Sequence, residues 1–334
     1  MQKFLSMLLA AVLLAVSAAK AQQDITPNDA TFSQYQYPFP VSYFHLNLQG
    51  NALRMAYMDV APKGQPNGQT IVLLHGKNFG GAYWDSTAAA LSAQGFRVIV
   101  PDQVGFGKSD KPAHLQYSLH LLAENTRHLL DSLGIAKAVI LGHSMGGMLA
   151  MRFAIQYPET VSKLVLEDPI GLEDWKLKVP YQNVDKWYTS ELKQNYEKIR
   201  KYQLESYFHG QWKPAYDKWA ALQASQTLSP DYPIVAWNSA LLYDMLFTQP
   251  VIYEIEKIQA PTLLIIGALD RTAIGKDRVT PEVKATMGDY PALGEAAASR
   301  IPHCQLALLP GVGHAPHMEV FSQFMQLVSG FVKN

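Results

Sequence analysis

Two short runs limit the fold of this chain more than any other feature. Ile71-Val72-Leu73-Leu74 and Leu263-Leu264-Ile265-Ile266 are apolar at every position. A strand with one face in water alternates polar and apolar residues. Unbroken runs therefore suit strands covered on both faces, as in a parallel sheet. Strand-type segments recur at Val41–Leu48, Leu53–Val60, Thr70–Leu74, Arg97–Val100, Ala138–Leu141, Lys163–Leu166, Thr262–Ile266 and Gln305–Leu309. Amphipathic helices are expected between them. Leu119–Leu133 is stopped by Gly134, Met148–Tyr157 ends before Pro158, and Phe321–Val332 is the last. This alternation predicts an α/β fold with a parallel sheet.

The composition can supply the core: 48% of the 334 residues are hydrophobic and 17% charged, which excludes a disordered chain. Lys plus Arg equals Asp plus Glu, 28 each, so no basic excess exists to hold a phosphate backbone. The single cysteine, Cys304, excludes an internal disulfide and a Cys-based metal cluster.

Residues 1–21 read as a signal peptide. Lys3 precedes an apolar stretch, Leu5–Val16, that is too short to span a bilayer, and Ala19-Lys20-Ala21 fits a small-x-small cleavage site. Cleavage there starts the mature chain at Gln22; an uncleaved anchor is the alternative. No Cys follows for lipid attachment, and twin arginines are absent from this stretch. The expected location is outside the cytoplasm, periplasmic or secreted from a bacterium, without a stable membrane anchor. In an oxidising compartment a lone thiol is best kept buried, so Cys304 is expected to be buried. Gln22 to about Phe39 is expected to lie as an extended arm on the surface.

One block breaks the alternation. From about Gly171 to Pro250 there is no strand pattern, and five of the six tryptophans sit there. Asp185–His209 reads as one helix with Tyr188, Leu192, Tyr196, Ile199 and Tyr202 on one face. Residues 171–250 are thus expected to form a helical cap on a core made of residues 22–170 and 251–334.

The chemistry-bearing residues flank this block. Gly142-His143-Ser144-Met145-Gly146 matches G-x-S-x-G and stands between a strand and a helix, the context this motif requires. So sharp a turn strains the Ser backbone, and the glycines two residues to either side let strand and helix approach. Ser144 is then a candidate nucleophile, and the Met145 N–H a candidate oxyanion donor. A serine hydroxyl needs a base. His314, in the loop after the last strand, is the candidate, ahead of His317; His75 and His143 are read as structural. The base needs an orienting carboxylate. Asp270, just after Thr262–Ile266, is the candidate, and Asp168, after Lys163–Leu166, is the alternative. The loop His75-Gly76-Lys77-Asn78 is expected to give a second oxyanion N–H, that of Lys77, with its side chain in solvent. Asp102–Ser109 reads as a turn and not a phosphate cradle, with Lys108 solvated. No metal spacing and no cofactor motif is found.

These motifs together resemble the α/β-hydrolase family over about Phe44 to Val332. His75-Gly76, Asp102-x-x-Gly105-x-Gly107-x-Ser109, Gly142-x-Ser144-x-Gly146-Gly147, Asp270 and Gly313-His314-x-Pro316-x-x-Glu319 stand in that family's order. The resemblance implies an eight-stranded, mostly parallel sheet with a helical cap inserted after strand six. It is to the capped branch that holds esterases, C–C bond hydrolases, haloperoxidase-like enzymes, epoxide hydrolases and haloalkane dehalogenases. The last two use an Asp nucleophile where this chain has Ser144. A polar insert at about Gly275–Leu293 is expected near the entrance. The expected activity is hydrolysis of a carboxylic ester or lactone by Ser144, His314 and Asp270, on a small, mostly apolar substrate. A C–C bond hydrolase or an amidase with the same triad, and a non-catalytic binding module on the same fold, are the alternatives.

Overall fold

The structure, a computed structural model, describes residues 25–333; the expected signal peptide and its cleavage site lie outside them. Eight strands form one sheet in the order β1-β2-β4-β3-β5-β6-β7-β8. They are β1 (Val41–Leu48), β2 (Asn51–Val60), β3 (Thr70–Leu74), β4 (Arg97–Pro101), β5 (Ala138–His143), β6 (Val161–Glu167), β7 (Thr262–Gly267) and β8 (Cys304–Leu309). β1 pairs with β2, and β2 with β4, antiparallel; every later pairing is parallel.

The two apolar runs become β3 and β7, and both faces are covered, as their composition requires. Ile71, Leu73, Leu263 and Ile265 face one way, with α1 (Asp85–Ala93) and the C-terminal α11 (Phe321–Lys333) over them. Val72, Leu74, Leu264 and Ile266 face the other, under α2 (Leu119–Ser132), α3 (Met145–Gln156) and α9 (Tyr290–Arg300). Each fully buried Leu or Ile contributes about 1.5–3 kcal/mol. Because β5, β6, β7 and β8 are parallel neighbours, their C-terminal ends share one edge. The four connections that leave these strands, carrying Ser144, Asp168, Asp270 and His314, therefore start side by side.

Between β6 and β7 the described chain is helical: α4 (Val184–Glu191), α5 (Tyr196–Tyr202), α6 (Asp217–Thr227) and α7 (Tyr232–Thr248), with short turns between. The single helix expected over Asp185–His209 is broken. The chain turns after Glu191, and the Asn195 side chain caps a new helix by accepting from the Lys198 N–H. A wide π-type turn, Gln203–Tyr207, then ends α5. Tyr196 and Ile199 pack on Ala220 and Ala224, while Tyr188 leaves that face and meets Trp237 edge-on.

Two other expectations are corrected. The arm is only partly a surface strap: most of its residues stay open, but Phe32 and Tyr37 are buried, the Gln226 amide donates to the Asp29 and Ala30 carbonyls, and the Tyr37 hydroxyl donates to Asp102, 2.8 Å away. Cys304 is half-buried, because β8 is an edge strand whose residues are mostly part-open. Burial pushes its thiol up to about 11, so little thiolate forms. The two remaining helices are α8 (Pro281–Ala285), which precedes α9, and α10 (Pro316–Glu319), which precedes α11. No described helix is long and apolar enough to cross a membrane.

Candidate active site

Ser144 sits on the turn between β5 and α3 with φ 56° and ψ −116°. A non-glycine residue there stores roughly 1–3 kcal/mol of backbone strain. The surroundings impose it: a Cβ on Gly142 would lie 2.1 Å from the Gly146 carbonyl oxygen, and one on Gly146 2.1 Å from that of Leu74. The helix begins at Met145, three residues before the expected start, so the turn has no slack.

The turn aims Ser144 at the loop after β8. Its hydroxyl donates to His314 Nε2 at 2.9 Å, and His314 Nδ1 donates to Asp270 Oδ2 at 2.6 Å. Asp270 Oδ1 also accepts from the Thr272 N–H at 2.7 Å, which fixes the carboxylate plane. His314 and Asp270 are fully buried, and Ser144 is 6% exposed, so the serine alone can meet a ligand. The N–H groups of Met145 and Lys77 have no hydrogen-bond acceptor among the described residues. Met145 opens α3, where a free N–H is expected and the helix dipole favours negative charge.

A cavity of about 250 Å³, roofed by α5, α6 and α7 and floored by the Lys77–Ala82 loop, opens at Lys77; Ser144, Met145 and His314 are not part of its wall. Aromatic and polar residues share its wall about equally, and Lys77, Lys111, Lys198 and Glu191 are the charged ones. The Lys77 side chain, expected in solvent, instead donates to Ser239 Oγ at 2.8 Å and lies 3.4 Å from the Tyr243 ring centroid. Burial, opposed by the Glu191 charge, pushes its ammonium down to about 8. Tyr207 links the cavity to the histidine. Its ring stacks on His314 at 4.9 Å, and its hydroxyl accepts from the Asn78 amide at 2.7 Å.

A family model for the alpha/beta hydrolase fold matches residues 69–319. The chain belongs to this family. A solved structure described as a probable hydrolytic enzyme, from Pseudomonas aeruginosa PAO1, is 50% identical with a TM-score of 0.90, covering 92% of this chain and 98% of that one. An uncharacterized protein of Mycobacterium bovis is 44% identical over 106 residues, 32% of this chain and 30% of its own. A 2-hydroxy-6-oxo-6-phenylhexa-2,4-dienoate hydrolase of Burkholderia cepacia is 38% identical over 108 residues, 31% of this chain and 38% of its own. The chain thus spans about a third of the length of the curated relatives it matches.

In this α/β-hydrolase the remaining motif residues hold the loops. His317 does not approach Ser144: its ring bonds Glu167 at 2.8 Å and lies 4.5 Å from Trp84. His143 Nε2 donates to the His314 carbonyl at 2.7 Å, and burial pushes its imidazole well below the ordinary range, so it stays neutral. His75 Nε2 accepts from the Gln103 N–H at 3.1 Å. Glu319 accepts from the Gly313 and Ala315 N–H groups, clamping the residues on both sides of His314. The Asp102–Ser109 segment is a turn, in which Asp102 accepts from the Lys108 N–H at 2.7 Å. Lys108 itself is buried and donates to the Phe32 carbonyl, where solvation was expected. The polar insert touches the helical block, with Arg278 4.8 Å from the Trp187 ring, but the cavity wall is formed without it.

Sequence reasoning missed Asn78 and Tyr207. Tyr207 lay inside what read as a continuous helix, so nothing marked it as facing His314. Asp168 was weighed only as a substitute for Asp270; it lies behind Asp270, with the nearest ligand-type atoms of Asp168, Asp270 and His314 within 4.8 Å of one another. This is the one such cluster among the described residues. Both His314 nitrogens and both Asp270 oxygens already have hydrogen-bond partners, so the set is not open to a cation.

Proposed function

We propose that this chain is an exported serine hydrolase that cleaves a carboxylic ester or lactone through an acyl-enzyme. The observation that carries the reading is the unbroken run from Ser144 through His314 to Asp270 at a strained strand–helix turn. Ser144 Oγ attacks the acyl carbonyl while His314 takes its proton. Asp270 holds the ring and stabilises the imidazolium. The N–H groups of Met145 and Lys77 receive the oxyanion; losing one such donor typically costs about 3–4 kcal/mol of transition-state stabilisation. His314 then protonates the leaving group and activates the water that clears the acyl-enzyme. The scheme calls for no cofactor. The cavity at Lys77 offers aromatic surface to the apolar part of a small acyl or alcohol portion, and Lys77, Lys111, Lys198 and Glu191 to a polar group on it.

A second reading is favoured by one observation, the likeness to the Burkholderia cepacia dienoate hydrolase. The same three residues would then cleave a C–C bond next to a ketone. A p-nitrophenyl ester series from acetate to decanoate on the mature protein, with Ser144→Ala alongside, tests both. A serine-dependent optimum at one chain length supports the esterase. Labelling of Ser144 by a fluorophosphonate without hydrolysis of any ester moves the assignment to vinylogous diketones. Full activity in Ser144→Ala refutes the scheme.

A further inference from the structure

The mechanism leaves one buried carboxyl group without a task. Asp168 follows β6 as Asp270 follows β7, and it is fully buried. Its Oδ1 accepts from the Gly267 N–H at 2.9 Å, while its Oδ2 has no hydrogen-bond partner among the described residues. Its backbone has φ 37°, a left-handed conformation that is costly for a residue with a Cβ. The fold thus holds this side chain in place against a local cost. The titratable groups around it are Asp270 after β7, His314 after β8, Glu167 on β6 and Tyr290 on α9; no lysine or arginine is among them.

Two ionised carboxylates cannot share a dry site at this separation. A buried carboxylate oxygen without a donor is costly as well. One proton on Asp168 Oδ2 removes both problems, since it cancels one charge and turns the orphaned oxygen into a donor. We propose that Asp168 is held as the neutral acid and positions Asp270 by donating a hydrogen bond to it. Burial, with the Asp270 charge adding to it, pushes the Asp168 carboxyl well above the usual range. Asp270 remains the anion that faces His314, and the Asp168 proton stays in place through turnover. The catalytic consequence rests on the serine-hydrolase reading; the protonation does not.

Asp168→Asn keeps a donor and removes the titrating group, whereas Asp168→Leu removes both. Urea unfolding of the mature protein and Asp168→Asn is compared from pH 5 to pH 7. A folded-state pKa above the unfolded value of ~3.9 means that the native state holds a proton the unfolded chain has lost. That contribution is present at low pH and fades as pH rises, so the wild-type unfolding constant grows about tenfold per pH unit relative to Asp168→Asn. A difference that is constant with pH, or of opposite sign, overturns the proposal, because Asp168 is then ionised. The second readout is the rate of fluorophosphonate labelling of Ser144 against pH. Asp168→Asn should keep the wild-type acid limb, and Asp168→Leu should move it to higher pH, since an undamped Asp270 makes the ring more basic. An unmoved limb in Asp168→Leu overturns the positioning role. A wild type that shows the unfolding slope but is never labelled refutes the serine-hydrolase reading and leaves the neutral Asp168 standing.

Discussion

Gly313→Ala should disable the site through a carbonyl that belongs to the helical segment. A Cβ at Gly313 would lie 2.0 Å from the Tyr207 carbonyl oxygen, whereas real Cβ contacts essentially never fall below 3.0 Å. One side must therefore yield by about 1 Å or more. Neither is free to do so. The Tyr207 carbonyl accepts from the His314 N–H at 2.9 Å, and its ring stacks on the imidazole. On the other side, the Gly313 N–H is held by Glu319. The displacement passes to the His314 ring and opens its 2.9 Å contact with Ser144. A misplacement of about 1 Å in a catalytic geometry costs on the order of 10²-fold in rate. Overpacking of this kind destabilises by roughly 1–3 kcal/mol. The assay is kcat and KM on the best p-nitrophenyl ester, with thermal unfolding alongside. We expect kcat to fall about 10²-fold with KM changed far less, and a lowered Tm. Wild-type kcat with a lowered Tm would show that the loop absorbs the methyl without moving the ring, and would refute this coupling.

Two further outcomes are expected. The Lys77 ammonium is pushed from its ordinary 10.5 down to about 8 by burial, so above pH 8 the unfolded chain holds the extra proton and stability should rise with pH towards 10; Lys77→Met should flatten that rise in urea titrations at pH 7, 8, 9 and 10. Phe32→Ala should cost about 3 kcal/mol in unfolding and alter the acyl-length preference, because this buried arm residue also lines the cavity; an unchanged Tm would return the arm to the surface role read from the sequence.

Most of the framework was legible in the sequence, and for local reasons. The apolar runs at Ile71–Leu74 and Leu263–Ile266 suited strands covered on both faces. Gly142 and Gly146 around Ser144 marked a turn too tight for side chains at those positions. Ser144, Asp270 and His314 could be singled out because each follows a strand, and parallel strands end on one edge. Yet these residues stand 170 and 44 positions apart in the chain, and their 2.9 and 2.6 Å contacts follow from the register of β5 to β8, which only the folded sheet fixes. Local pattern failed where the partner was distant. Phe32 and Tyr37 read as part of a surface arm because nothing nearby in sequence holds it; Gln226, on the Asp29 and Ala30 carbonyls, and Asp102, on the Tyr37 hydroxyl, do. Lys77 read as solvated because a lysine in a loop usually is, until Ser239 and Tyr243 from another element closed over it. Tyr207 carried no local signal, and Asp168 only the strand-end position that made it an alternative to Asp270, since their significance is a ring laid on His314 and a carboxyl set behind Asp270. The sequence alone determined which elements form and which residue types meet at the sheet edge, because those depend on short-range sterics and hydrophobic periodicity. The tertiary structure alone decided which side chains lose water and whose charge each one faces, because desolvation and electrostatics depend on neighbours that only folding supplies.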